Sequence, residues 1–223
     1  MAPRPTIAFD LDGTLVDSAP DLLVALNVVL AEAGLAPISA ADARGLYGGG
    51  ARLLIERGLS FHGAHRGVSE IDEMQVRFLA YYEEHIADGS LPFPGAAEML
   101  DELARQNARL VVVTNKFERF AVKLLSLLGL AERFQVIAGP DTFGLRKPDP
   151  GHLLLAVERA GGDRTATIMV GDSVTDVATA RAAKVPVIAV SFGYRDRSVQ
   201  ALGADRVIDR LDEIPDAVAR LLG

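Results

Sequence analysis

Thr6-Ile7-Ala8-Phe9-Asp10-Leu11-Asp12-Gly13-Thr14 is the stretch on which the fold turns. Thr6 to Phe9 is a short apolar run, and Asp10 to Thr14 is a polar turn, so a buried strand ends where two carboxylates begin. Directly after it, Ser18, Pro20 and Asp21 supply an N-cap, an early-helix proline and an acidic third position. Leu22, Leu23, Leu26, Val29 and Leu30 then recur at helical spacing, which predicts a helix ending near Gly34.

The same cap signature returns at Ser39 with Asp42 and at Ser69 with Asp72, before further helical patterns that include Met74, Phe78, Leu79, Tyr82 and Ile86. Everything from Ser18 to about Ser90 reads as helix. Leu91-Pro92-Phe93-Pro94-Gly95 is a stiff, turn-forming break, and beyond it the pattern changes. Runs rich in β-branched residues (110–113, 136–138, 167–170, 185–190 and 206–208) alternate with amphipathic helices over 96–106 and 118–128. That alternation predicts an α/β fold, a parallel sheet wrapped by helices. The strand at Ile7–Phe9 joins the same sheet, so the helical stretch is an insertion: residues 1–17 and 91–223 form the core, and 18–90 a separate helical domain.

Composition narrows the function. The chain has 223 residues, 49% hydrophobic and 24% charged, which predicts a folded globular protein with room for a core and a small insert. A net charge of −7 argues against general attraction to nucleic acid or an anionic membrane surface. The absence of cysteine excludes disulfides, thiolate metal sites and cysteine nucleophiles. No secretory h-region is visible, and no apolar run approaches the roughly 20 residues that span a bilayer, so a cytoplasmic location is expected.

In open α/β sheets ligands bind beyond the carboxyl ends of the strands, so the residues that follow each strand carry the chemistry. Asp10 and Asp12 follow the first. Thr114, Asn115 and Lys116 follow 110–113, and Gly171, Asp172, Ser173 and Asp176 follow 167–170. Two carboxylates at one mouth can divide labour, one as nucleophile and one as proton donor; turn-forming aspartates are the plain alternative. Asp172 and Asp176, four apart at a helix start, can present hard oxygen ligands that suit Mg²⁺, or serve as an ordinary cap region. Thr114 and Asn115 form either a phosphate cradle or a simple helix start. Lys147, in Arg146-Lys147-Pro148-Asp149-Pro150, is mounted on a segment stiffened by two prolines, which favours charge compensation on a phosphoryl group over a solvated surface role.

Taken together, the segment 10–18 (Asp-Leu-Asp-Gly-Thr-Leu-Val-Asp-Ser), Thr114-Asn115-Lys116, Lys147-Pro148-Asp149-Pro150 and the segment 171–176 (Gly-Asp-Ser-Val-Thr-Asp) resemble the ordered motifs of the haloacid-dehalogenase-like superfamily. The resemblance implies a Rossmann-like parallel-sheet core with an inserted all-helical cap domain. It further implies Asp10 as nucleophile, Asp12 as general acid and then base, Thr114 and Lys147 as phosphate holders, and Asn115 as a contact to substrate or phosphate. Mg²⁺ is the implied cofactor, with Asp10, Asp12, Asp172 and Asp176 as the metal set. Asp12 separates this pattern from dehalogenases, which lack the second acid, and the segment 18–90 contains no lysine to form the Schiff base of a phosphonatase.

The cap segment 44–59, Arg-Gly-Leu-Tyr-Gly-Gly-Gly-Ala-Arg-Leu-Leu-Ile-Glu-Arg-Gly-Leu, is similar to that of bacterial phosphoglycolate phosphatases, although Gly49 stands where family members have Asn. A glycine-rich turn that opens a helix can offer N–H groups to a carboxylate, with Arg44 or Arg52 adding charge; a flexible hinge with both arginines solvated is the alternative. Gly49, Arg44 and Arg52 are therefore candidate substrate contacts, and Tyr194 and Arg195 either line the same mouth or form a loop. The expected reaction is Mg-dependent hydrolysis of a small phosphomonoester, 2-phosphoglycolate first, by a monomer or homodimer. Competing readings are a phosphosugar mutase, a pyrophosphatase of the same superfamily, and a non-catalytic receiver-like module that holds phosphate on Asp. Asp149, His62, His65, His85 and His152 are read as structural or surface residues.

Overall fold

The structure, a computed structural model, describes residues 4–194 and 198–223. Strand β1 (Thr6–Phe9) leads into a short β2 (Val16–Asp17), followed by three helices, α1 (Ala19–Glu32), α2 (Ala51–Phe61) and α3 (Val68–Glu84). The chain returns through β3 (Leu91–Pro92) to α4 (Ala96–Arg105), β4 (Arg109–Val113), α5 (Glu118–Leu127), β5 (Val136–Ala138), a short α6 (Pro140–Phe143) and α7 (Pro150–Arg159). It closes with β6 (Thr167–Gly171), α8 (Val174–Ala183), β7 (Val187–Val190), β8 (Arg206–Ile208) and α9 (Ile214–Leu222).

Six strands form one sheet in the order β5-β4-β1-β6-β7-β8, and every pairing within it is parallel. The sheet is buried on both faces, which is why its strands read as continuous apolar runs rather than as alternating ones. Alternate side chains still part company. Ile7, Phe9, Leu110, Val112, Ile168 and Val170 enter the core beneath α4, α5 and α9. Ala8, Val111, Val113, Met169 and Val187 pack on the other face with residues of α7 and α8. This is the expected α/β architecture. Because β4 and β6 lie on either side of β1, the chain departs in opposite directions around β1, and a crevice opens at the carboxyl ends of these strands.

The helical insert leaves and rejoins the core through one short ribbon. Val16 pairs with Pro92 and Asp17 with Leu91 in an antiparallel ribbon, so the way in and the way out lie side by side. Asp21 on the first turn of α1 accepts from the backbone N–H groups of Gly89 and Ser90, each at 2.8 Å, and from the Ser90 hydroxyl at 2.5 Å. The three inserted helices share an apolar interior in which Leu26, Leu30, Ile55, Phe78 and Tyr82 are buried.

At the helix starts the local geometry departs from the expected caps. Ser18 precedes α1 as expected, but its hydroxyl makes no cap bond; it donates to Asp12 Oδ1 at 2.5 Å. Helix α3 starts at Val68, ahead of the expected cap at Ser69. Glu70 accepts from the Gly67 N–H at 2.9 Å, and Asp72 is instead an ion-pair partner of Arg52. The strand expected over 185–190 begins at Val187. No helix among the described residues is long and apolar enough to cross a membrane.

Candidate active site

The carboxyl ends of β1, β4 and β6 bring the separate motifs to one cleft of about 90 Å³, which the insert roofs with Tyr47, the glycines 48–50, Phe78 and Tyr82. Asp10, Asp12, Thr114, Asn115, Lys147 and Asp172 all line it. Carboxylate oxygens of Asp10, Asp172 and Asp176 lie within 4.8 Å of one another. Asp10 follows directly on β1, with Oδ1 accepting from the Leu11 N–H at 2.7 Å.

Asp172 leaves the end of β6, and its Oδ2 accepts from the Tyr194 N–H at 2.5 Å. Backbone crowds it: a Cβ on Gly13, whose φ is +81°, would lie 2.6 Å from Oδ2, so only glycine fits that turn. Asp176, in the first turn of α8, is fully buried; its Oδ2 accepts from the N–H groups of Asp172 (3.2 Å) and Ser173 (3.0 Å) and from the Ser173 hydroxyl (2.6 Å). The plain cap reading also holds here, because Ser173 caps α8.

One ammonium serves this group. Lys147 Nζ lies 2.8 Å from Asp10 Oδ1 and 2.6 Å from Asp176 Oδ1, with its side chain 2% exposed. Burial alone would lower its pKa, but the carboxylates of Asp10 and Asp176 reverse that and hold it up. Burial, reinforced by the charge of Asp176, raises Asp10 to about 7 against the pull of Lys147. Burial, with Asp176 and then Asp10, raises Asp172 well above the carboxylate range. Three buried carboxyl groups facing one lysine lack positive charge, and hard oxygen donors at this spacing suit a divalent cation such as Mg²⁺.

The remaining expected residues divide. Thr114 is buried, and its Oγ1 accepts from the Lys116 N–H at 3.1 Å at the mouth of the cleft. Asn115 spends its amide on structure: Nδ2 donates to the Lys147 carbonyl at 3.1 Å, and Oδ1 accepts from the Lys147 N–H at 2.9 Å. It thus mounts Lys147 while lining the cleft itself. Asp12 lines the cleft but stands apart from the three-carboxylate group. Its Oδ1 is engaged by Ser18 at 2.5 Å and Lys116 at 3.1 Å, so of the four expected metal residues the structure groups the carboxylates of three.

In the insert, Gly49 lines the cleft, but Arg44 and Arg52 do not. Arg44 is exposed, and Arg52 is held outside by Glu56, at 3.1 Å, and by Asp72. Gly48, Gly49 and Gly50 all have φ between +82° and +95°, a left-handed run that side chains resist. Arg195 lies outside the described residues.

Comparison with known proteins fits this geometry. The pattern described as haloacid dehalogenase-like hydrolase matches residues 5–184, which takes in every one of these motifs. The chain belongs to the haloacid dehalogenase-like hydrolases. Within this hydrolase family it is 45% identical to the phosphoglycolate phosphatase of Caulobacter vibrioides over 97% of this chain and 92% of that one. It is 46% identical to the phosphoglycolate phosphatase of Agrobacterium fabrum, over 92% of this chain and 88% of that one. A crystal structure of a predicted phosphoglycolate phosphatase from Haemophilus somnus 129pt superposes with a TM-score of 0.89 at 27% identity, covering 97% of this chain and 99% of that one. The chain is an enzyme, a hydrolase of the phosphatase type.

Three further residues of this hydrolase shape the cleft: Lys116 and Tyr194, which the sequence placed near the mouth without a role, and Arg57, which carried no signal. Lys116, beside the expected Thr114 and Asn115, pairs with Asp12 and donates to the Tyr82 hydroxyl at 2.8 Å. Arg57, not Arg44 or Arg52, secures the glycine turn: its Nη1 donates to the carbonyls of Leu46 (2.9 Å), Tyr47 (2.9 Å) and Gly48 (3.2 Å). Tyr194 ties the catalytic end of the sheet to the insert. Its hydroxyl donates to Asp17 and accepts from the Ala19 N–H at 2.8 Å, and its ring rests 5.0 Å from that of Tyr47.

Proposed function

We propose that this enzyme hydrolyses a small carboxylate-bearing phosphomonoester, 2-phosphoglycolate first, through an aspartyl phosphate on Asp10. The observation that carries the reading is Lys147 set between Asp10 and Asp176 at the floor of a small, roofed cleft. That arrangement provides a nucleophile, a fixed cation and a charge-deficient carboxylate group in one place. The names of the similar phosphatases support the choice of ester.

Asp10, Asp172 and Asp176 would hold Mg²⁺, which when bound neutralises the repulsion between carboxylate and phosphate. Lys147 and the Thr114 hydroxyl steady the equatorial phosphoryl oxygens while Asp10 Oδ attacks phosphorus in line. Asp12 gives its proton to the departing alkoxide oxygen, and afterwards takes one from the water that hydrolyses the phosphoaspartate. Residues 1–17 and 91–223 act as the catalytic core and residues 18–90 as a cap that keeps bulk water from the first step.

Phosphate release from 2-phosphoglycolate, sugar phosphates, nucleotides and pyrophosphate, with Mg²⁺ or with chelator, tests this reading. Strong Mg²⁺-dependent turnover of 2-phosphoglycolate is expected. Preference for pyrophosphate or a hexose phosphate would discard the substrate assignment.

A further inference from the structure

Lys116 is one of only two cations among the described residues that line the cleft. The other, Lys147, is engaged by Asp10 and Asp176 at the phosphoryl end. The arginines that could have met a second negative group, Arg44 and Arg52, stand outside the cleft. Among the described residues, a carboxylate on the substrate would therefore have one cation of the cleft to turn to.

The placement of Lys116 fits that task. Its side chain is 6% exposed, and an ammonium carries three N–H donors, of which Asp12 and the Tyr82 hydroxyl engage two. Tyr82 belongs to α3 of the insert and Lys116 to the turn after β4, so the ammonium lies on the seam between roof and floor. The glycine turn covers the same spot, since a Cβ on Gly50 would sit 3.5 Å from the Asn115 carbonyl. The surrounding wall of Leu54, Phe78 and Phe120 is apolar, which strengthens a charge pair formed against it.

Distance then selects the kind of acid. Asp12 must come within about 3 Å of the bridging ester oxygen to protonate it. Lys116 Nζ is 3.1 Å from Asp12 Oδ1, so an ester oxygen within about 3 Å of Asp12 lies at most about 6 Å from the ammonium, a gap that a carboxylate one carbon beyond that oxygen can span.

We propose that Lys116 is the specificity-determining residue that binds the substrate carboxylate, and that it selects esters whose carboxylate is one carbon from the phosphate oxygen. This rests on the phosphatase reading and deepens it. On binding, the carboxylate shares the Lys116 ammonium with Asp12, so the group that recognises the acid also sets the proton donor against the leaving oxygen.

The test compares kcat/KM for 2-phosphoglycolate with that for ethyl phosphate, which keeps the ester and lacks the acid, in wild type, Lys116→Met and Lys116→Arg. The expected result is a wild-type preference for the acid that falls by about 30-fold or more in Lys116→Met, as for loss of one partner of a buried charge pair, and is partly retained in Lys116→Arg. Because Lys116 also touches Asp12, both substrates should slow; the ratio between them is the readout. If Lys116→Met fails to fold by circular dichroism, Lys116→Gln takes its place. An equal loss on both esters would overturn the proposal, leaving Lys116 as a support for Asp12 alone. A wild type with no preference for the acid would sink the substrate reading as well, whereas an unchanged preference in the variants would sink the role of Lys116 only.

Discussion

The Lys147 ammonium lies 2.8 Å from the Asp10 carboxylate at the bottom of the cleft, with its side chain 2% exposed. A buried pair of this kind holds charge where water cannot, so removing one partner strands the other. Lys147→Met is expected to lower kcat/KM by about three orders of magnitude or more, and to lower unfolding stability by about 3–5 kcal/mol. Phosphate release and urea denaturation on the same preparation check both. Retained stability would mean that the carboxylates find compensation elsewhere.

Asp10 is pushed up from the ordinary 3.8 to about 7 by burial and by Asp176, so the folded protein binds a proton that the unfolded chain releases. Where the folded state binds more protons, stability declines as pH rises. Without divalent cation, the contribution from Asp10 is therefore fully present below about pH 4 and lost as pH climbs through about 7. Melting temperatures across this range, for wild type and Asp10→Asn in chelator, should show a fall in wild type that the variant lacks. Added Mg²⁺ is expected to restore wild-type stability at the upper end.

Arg57 and its neighbours allow a sharper contrast. The Arg57 guanidinium donates to three successive carbonyls at the glycine turn, and a charged donor to a backbone acceptor contributes about 1.5–3 kcal/mol. Arg57→Ala should raise KM several-fold and lower stability by about that amount. Arg44→Ala and Arg52→Ala should leave KM within about twofold, because Arg44 is exposed and the Arg52 pairs are solvent-screened surface ones outside the cleft. A KM raised by Arg44→Ala but not by Arg57→Ala would reverse this account of the roof.

Tyr194 connects two regions that are far apart in sequence. Its N–H holds Asp172 at 2.5 Å, while its hydroxyl bridges Asp17 and Ala19 at the entrance to α1. Tyr194→Phe keeps the first bond and the packing against Tyr47 but removes the bridge. It is expected to reduce kcat more than Mg²⁺ affinity, as measured by titrating activity with the metal.

The core was legible because its signals are redundant. Each central strand is a short β-branched run that ends at a polar group, and Asp10, Thr114 and Asp172 stand at those ends because the parallel sheet places them there. The insert was legible as helix for the same reason, yet its side chains were not. Arg44, Arg52 and Arg57 occupy one short stretch of like chemistry, and what separates them is which way the helix turns and which carboxylates lie across from it. Asp72, twenty positions on, takes Arg52 away from the cleft, and no local pattern announces that. Ser18 differs for a related reason: it has the composition of a cap, but its φ of −98° and ψ of 0° lie outside the extended region a capping residue adopts, and its hydroxyl is turned to donate to Asp12 across the turn. Lys116 is adjacent to two expected residues, and its importance emerges only when Tyr82 of α3 is folded over it.

The central claim is that phosphate passes through Asp10. Acid-quenching Asp12→Asn during turnover of p-nitrophenyl phosphate, whose leaving group needs no proton, and mapping its peptides by mass spectrometry tests it most directly. The account predicts a phosphoryl group on the peptide that contains Asp10, and on no other. An unmodified Asp10 peptide from enzyme that is still releasing nitrophenolate would contradict it.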